Sequence, residues 1–243
     1  MNPKKILFVT TSHDKLGDTH YRTGVWLEEL AAPYYIFTEA GYELTVASPA
    51  GGPVPLDPKS ESIIMATQTT KRFLKDEVAM NFLSQSVLLQ EVNAEDFDAV
   101  FLPGGHGPMW DIADNEDVKQ LLEAFNREKK PLVAVCHGVV ALLNVHTENG
   151  ELLIKDKQIT GFSNSEEESA GLTKIVPFLL ETRLISVGAL YSKGPNYLSH
   201  VVIDGNIITG QNPASSEGVA KKTIAILQEA KQKPLLQAEH ETV

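Results

Sequence analysis

Pro131-Leu-Val-Ala-Val-Cys-His-Gly138 carries an apolar run of strand length into a glycine, where a second apolar-periodic segment opens. Leu132 to Val135 contains no polar residue, the composition of a strand covered on both faces. A chain that passes from such a strand into a helix at a glycine must turn sharply. Cys136, the only cysteine in 243 residues, sits on that turn. The turn lifts the thiol out of the sheet and sets it beside helix-start amides, a setting that favours a thiolate. The competing reading is a buried free cysteine acting as a small apolar residue. His137 and Gly138 favour the reactive one, and with it a depressed thiol pKa and ready oxidation.

On either side of this stretch, short apolar runs alternate with longer helix-period segments, the pattern of a mainly parallel sheet with helices on both faces. Ile6 to Thr10, Leu44 to Ser48, Ala99 to Leu102 and Leu132 to Val135 read as the central strands, with their carboxyl ends on one edge. Helices are expected from Gly24 to Ala40, Glu116 to Arg127, Gly138 to Val145 and Ala214 to Glu229. Pro33 should kink the first near Glu29. His200 to Thr209 reads as a hairpin around Asp204-Gly205, outside the parallel pattern. Gly51 to Thr70 reads as a long surface excursion of the kind that covers a site, with helix-period residues resuming at Phe73. No repeat or linker is visible, so residues 1–231 read as a single α/β domain and residues 232–243 as a frayed polar tail.

Composition narrows the partners. With 42% apolar and 22% charged residues the chain is an ordinary globule, and its formal charge of -11 argues against nucleic acid or an anionic membrane. A single cysteine excludes an internal disulfide, no apolar run approaches a membrane span, and the start reads as a strand rather than a signal peptide. The expected location is cytoplasmic.

A catalytic thiol needs a base, an orienting carboxylate and oxyanion donors. His137 is adjacent. Glu166-Glu-Glu168, after the strand-like Gln158 to Phe162, offers carboxylates for the imidazole, although such a cluster is commonly a solvated complement to a helix start. Pro103-Gly104-Gly105-His106-Gly107 closes a strand with glycines whose amides can turn toward an oxyanion; the spacing is not that of a phosphate loop. Glu29 lies among Trp26, Leu27, Leu30 and Ala31, so its carboxyl should be buried with a raised pKa, and Glu28 is the solvent-facing alternative. His13, His20, His106, Asp14 and Asp18 lack metal-ligand spacing and read as loop residues near a pocket; no metal is expected.

Together these residues resemble the ThiJ/PfpI superfamily: Glu29-x-x-x-Pro33, Pro103-Gly-Gly-His-Gly107 and Ala134-Val-Cys-His-Gly138 stand in its order along the chain. Thr11-Ser-His-Asp14, Thr23-Gly-Val-Trp-Leu-Glu-Glu29, Thr160-Gly-Phe-Ser163 with Glu168 after it, and Gly210-Gln-Asn-Pro-Ala-Ser215 resemble the branch of glutathione-independent glyoxalases (glyoxalase III) and related heat-shock chaperones. The resemblance covers residues 4 to 230. It implies a flavodoxin-like three-layer sandwich with a mainly parallel central sheet, a cysteine nucleophile elbow and a homodimer. It implies Cys136 as nucleophile, His137 as its partner, Glu168 as third member with Glu167 as the alternative, and Glu29 as the buried acid on sulfur. Gly104, Gly105, His106 and Gly138 then lie on the oxyanion and substrate side. The implied reaction converts methylglyoxal or another 2-oxoaldehyde to the 2-hydroxy acid without a cofactor. A holdase chaperone and a cysteine hydrolase of peptides or glycated amines are the alternatives.

Overall fold

The computed structural model describes residues 4–240, with side chains described through Glu229. β1 (Lys5–Val9) buries Ile6 to Val9, leads through α1 (Leu27–Glu39) and returns as the parallel neighbour β2 (Glu43–Ser48). α2 (Gln68–Phe73) and α3 (Glu77–Ser84) precede the short edge strand β3 (Val87–Leu88). Next come β4 (Ala99–Leu102), α4 (Pro108–Asp111), α5 (Glu116–Arg127) and β5 (Leu132–Val135). β6 (Gln158–Ile159) and β7 (Leu190–Tyr191) form a separate two-stranded sheet, with α6 (Asn164–Ser169) and α7 (Leu180–Ser186) between them in the chain. The hairpin β8 (Val201–Asp204) and β9 (Ile207–Gly210) leads into α8 (Ser216–His240).

The seven-stranded sheet has the order β3-β2-β1-β4-β5-β9-β8. Each adjacent pair is parallel except β8 with β9. Every residue of β4 and β5 is buried, so both faces of the sheet are covered there. α1 and α8 pack on each other and reach β2, β5 and β9, while α5 packs on β4 and β5. Successive strands step from β1 outward to β2 and β3, then return to β4 on the other side of β1. Strand order therefore reverses between β1 and β4, and the crevice beyond their carboxyl ends is where such sheets place ligands. Cys136 follows β5, one strand further along.

Several elements differ from the sequence expectation. The first helix starts at Leu27 rather than Gly24, because Trp26 is still extended, and it continues as one helix through Pro33. The segment after Cys136 is a tight 3-10 stretch, Cys136–Leu142, rather than an α-helix from Gly138. The hairpin turn is Gly205-Asn206, one residue later than expected, because Asp204 pairs with Ile207. Its second strand joins the parallel sheet beside β5, so only β8 breaks the parallel pattern. Helix resumes at Gln68, where Thr67 caps α2, ahead of the expected Phe73. α8 continues past Glu229 to His240, which takes in most of the expected tail; residues 241–243 lie outside the described residues. Among the described residues no helix is long and apolar enough to cross a membrane.

Candidate active site

Val135 ends β5 in extended conformation and Cys136 follows at φ 58°, a left-handed backbone that a non-glycine residue adopts at a cost in strain. The reversal throws the side chain off the strand and toward the crevice. Gly138 makes the tight turn possible, since a Cβ there would lie 2.2 Å from the carbonyl oxygen of Leu102 at the end of β4. Its part is steric: it lets the elbow pack against the neighbouring strand, and it is not among the residues lining the cavity.

His137 is fully buried, with Nδ1 3.4 Å from Cys136 Sγ and Nε2 2.6 Å from Glu167 Oε2. The other oxygen of Glu167, Oε1, lies 2.8 Å from His106 Nε2, and the two imidazole rings are 4.2 Å apart. Burial acts to raise the Glu167 carboxyl, but the two imidazoles outweigh it and hold the group well below the usual carboxylate range. An ionised carboxylate only accepts, so each Nε2 carries hydrogen and His137 Nδ1 presents its lone pair to sulfur. Burial, followed by the neighbouring His106, holds the His137 imidazole below its ordinary pKa, so it is neutral and able to accept a proton. Glu168 points elsewhere: it is exposed, and Glu167 is the residue on the imidazole. This corrects the expected third member by one position. On α6 a shift of one residue turns a side chain by about 100°, which separates a buried from a solvated face.

Glu29 approaches from α1 on the far side of the thiol. It is fully buried; its Oε2 accepts the backbone N–H of Gly104 at 2.7 Å, and its carboxyl lies beside the Cys136 thiol. Oε1 is buried with no hydrogen-bond partner. Burial pushes the Glu29 carboxyl up to about 8, against the pull of Cys136 and of the Gly104 N–H. A Cβ on Gly104 would fall 2.7 Å from Glu29 Oε2, so only glycine lets the two groups meet. The Gly104 amide is thereby committed to Glu29, which corrects its expected part as an oxyanion donor. Gly105 and His106 line the cavity.

The thiol does not follow the expectation of a depressed pKa. Burial and the adjacent Glu29 push Cys136 up, and the backbone N–H of His137 only partly offsets them. The 3-10 stretch supplies that one amide rather than the open first turn of an α-helix. Two acids in contact titrate as a pair: the first negative charge is shared, and a second is strongly opposed. The elbow thus holds sulfur as a thiol, with the neutral His137 Nδ1 as the proton acceptor beside it.

These groups face a cavity of about 660 Å³ whose wall includes Trp26, Phe162, Leu172 and Tyr197. The excursion after Gly51 contributes Asp57, Lys59, Met65 and Thr67 to the wall. Glu28, expected to face solvent, is half-buried in the same wall and accepts the Thr67 hydroxyl at 2.6 Å. Of the loop residues weighed as metal ligands, Asp14 is exposed and paired with Arg22, Asp18 and His20 are exposed, and His13 stacks on Trp110. His106, His137 and Glu167 place ligating atoms within 4.8 Å of one another, and the pairing of each imidazole with its own carboxylate oxygen accounts for that cluster.

Residues 22–226 match the DJ-1/PfpI family. The chain belongs to that family. It is 30% identical over 239 residues to Glyoxalase 3 of Candida albicans, covering 91% of this chain and 97% of that protein. It is 29% identical to the glutathione-independent glyoxalase HSP31 of Saccharomyces cerevisiae, covering 93% and 99%. Among solved structures it is 40% identical to Rapid Encystment Protein 24 kDa of Francisella tularensis, with a TM-score of 0.88 and coverage of 92% and 99%.

Neither family membership nor the run of three glutamates singles out Glu166, yet it is the most heavily hydrogen-bonded of the three. Its Oε2 accepts from the Ser163 backbone N–H (3.0 Å), the Ser163 hydroxyl (2.7 Å) and Gln211 Nε2 (2.9 Å). Its Oε1 accepts from the Tyr197 N–H (2.8 Å) and Asn212 Nδ2 (2.8 Å). Burial opposes the charge, but these donors hold its pKa below the ordinary value. Glu166 thus ties α6 to the segment after β9 and to the cavity rim, and so fixes its neighbour Glu167. The one trace in the sequence was Ser163 three residues before Glu166, the spacing of a capping box, which the structure forms.

Proposed function

We propose that the protein is a glutathione-independent glyoxalase that converts methylglyoxal and related 2-oxoaldehydes to 2-hydroxy acids. The observation that carries this reading is the placement of one thiol between a neutral imidazole and a buried carboxyl at the floor of a cavity. The named glyoxalases among its relatives support it along most of the chain.

Cys136 Sγ adds to the aldehyde carbon, and its proton passes to His137 Nδ1, where the Glu167 carboxylate stabilises the imidazolium through Nε2–H. Gly105 stands at the wall where the aldehyde oxygen gathers charge. As sulfur adds, the protonated Glu29 gives its proton to the aldehyde oxygen, which completes the hemithioacetal and leaves a carboxylate. This carboxylate takes the hydrogen from the former aldehyde carbon while the His137 imidazolium protonates the ketone oxygen to give the enediol. Glu29 then returns the proton to the adjacent carbon as the hydroxyl on the former aldehyde carbon passes its own to His137. The former aldehyde carbon is oxidised to a thioester and its neighbour is reduced to an alcohol, so no external redox partner is needed. Water opens the thioester to the 2-hydroxy acid and frees the thiol. A carboxyl poised near 8 suits a group that both accepts and donates. Water is added overall, so the reverse reaction eliminates water and the enzyme falls in the hydro-lyase class. A cytoplasmic homodimer belongs to the same reading.

Lactate formation from methylglyoxal by wild-type and Cys136→Ala protein tests it. The variant should fall to the uncatalysed rate while keeping its fold by circular dichroism, and an unchanged rate removes the thiol mechanism. A holdase reading has its own observation in Ile63 and Ile64, which are 92% and 93% exposed beside the cavity-lining Met65. Suppression of client aggregation that survives Cys136→Ala, with no turnover in either form, would favour it.

A further inference from the structure

The cavity is far larger than methylglyoxal, a molecule of three carbons and two oxygens; at about 660 Å³ it has room for roughly twenty waters. Its wall is not uniform. From the Glu167 pair outward runs a row of rings: His106 to His137 at 4.2 Å, His137 to Phe162 at 4.5 Å and Phe162 to Tyr197 at 6.5 Å. Phe162 is nearly buried, whereas Tyr197 is 46% exposed, so the row starts beside the nucleophile's base and ends at the rim. Tyr197 has φ 60°, a left-handed backbone that a bulky residue rarely adopts. Glu166 holds it there, accepting the Tyr197 N–H through Oε1 and the phenolic O–H at 3.1 Å through its backbone carbonyl. A strained aromatic fixed by a buried carboxylate at the mouth of a site is positioned by the surrounding structure rather than left loose on the surface.

We propose that the cavity takes 2-oxoaldehydes carrying a flat apolar substituent, such as an aryl group, and that Tyr197 selects them by packing that substituent along the Phe162–Tyr197 wall. The proposal rests on the glyoxalase reading and names its substrate class. Once sulfur has added to the aldehyde carbon, the substituent on the second carbon is directed away from the elbow, and the aromatic row is the apolar surface that leads from there to the rim. Face or edge contact with a ring supplies affinity that a methyl group cannot reach.

The test compares phenylglyoxal with methylglyoxal in wild-type, Tyr197→Ala and Tyr197→Phe proteins. Wild type should favour phenylglyoxal in kcat/KM by about tenfold, the size of one aromatic contact. Tyr197→Ala should lose that preference, raising KM for phenylglyoxal about tenfold more than KM for methylglyoxal, and Tyr197→Phe should restore it. Equal losses on both substrates, or a wild-type ratio near one, overturn the inference. Should Tyr197→Ala fail to fold, calorimetry on the unaltered protein decides the matter. 1-Phenyl-1,2-propanedione, which lacks the aldehyde hydrogen and cannot react through, should bind about tenfold tighter than 2,3-butanedione, and equal affinities overturn the inference. Turnover of neither aldehyde overturns the glyoxalase reading and this assignment together, whereas turnover of both at a ratio indifferent to Tyr197 overturns the assignment alone.

Discussion

Two carboxyl regions flank the same histidine and thiol, and although burial pushes every carboxyl up, they end on opposite sides of the ordinary carboxylate value. Glu29 on α1 is sealed with a single backbone donor and a sulfur beside it, and its pKa rises to about 8. Glu166 and Glu167 on α6 are also buried, yet five hydrogen bonds on one and two imidazoles on the other hold both below the ordinary value. Desolvation acts on all three, so the number and kind of donors decides the outcome. Sulfur thus has a carboxyl that stays protonated near neutral pH on one side and fixed negative charge on the other.

The largest expected effect removes the Glu29 acid. Glu29→Gln keeps the shape and the acceptor for Gly104 but cannot move a proton, so kcat should fall by about 10²- to 10⁴-fold. The same variant tests the sign of the shift. A carboxyl whose folded pKa lies above its unfolded value stabilises the fold fully below the unfolded pKa, and that contribution is lost as pH rises through the folded one. Between about 4.5 and about 8 the wild-type melting temperature should therefore decline relative to Glu29→Gln. Parallel melting curves across that range would show that Glu29 is charged in the folded protein.

On the α6 side, Glu166→Gln replaces an acceptor of five hydrogen bonds with an amide whose N–H groups face other donors. We expect about 3 kcal/mol of destabilisation in urea titration, with Tyr197 released from its backbone strain. Stability lost by less than about 0.5 kcal/mol would mean that the network closes without the charge. Because the folded pKa of Glu166 lies below its unfolded value, its contribution is present above that unfolded value and is lost as the protein is acidified; Glu166→Gln should lose this acid dependence. The smallest effect belongs to the third member of the cluster. Glu168→Gln should change kcat by less than about twofold and stability by less than about 0.5 kcal/mol, as for an exposed residue away from special contacts. A large loss of activity there would return the orienting role to Glu168.

The adjacent glutamates also separate what is local in this chain from what is not. Alternating apolar runs placed β1, β2, β4 and β5 within a residue or so, because buried strands need continuous apolar side chains. The elbow was legible in Leu132 to Gly138, since a strand, a lone cysteine and a glycine are adjacent in the chain. Glu29 was legible as a carboxyl on an apolar helix face. The choice among Glu166, Glu167 and Glu168 was not, because they share side chain and local setting and differ only in what lies across the cavity, residues tens of positions away. Gly104 was misassigned for a related reason: a glycine-rich turn shows that amides are free to point at something, without showing that Glu29 takes one of them. The thiol was expected to be depressed because its helix-start surroundings were visible, while its burial and the facing acid were not.

By itself, the sequence determined a parallel α/β sheet, the position of a sulfur at the end of one of its central strands, and a buried acid on the first helix, all consequences of local hydrophobic period and of residues close in the chain. Only the tertiary structure decided which glutamate meets His137, that Glu166 ties the cavity rim to α6, and that the thiol is raised rather than lowered. Those outcomes depend on distances and dielectric between segments far apart in sequence, and electrostatic energies follow such distances and the surrounding solvent rather than the order of residues.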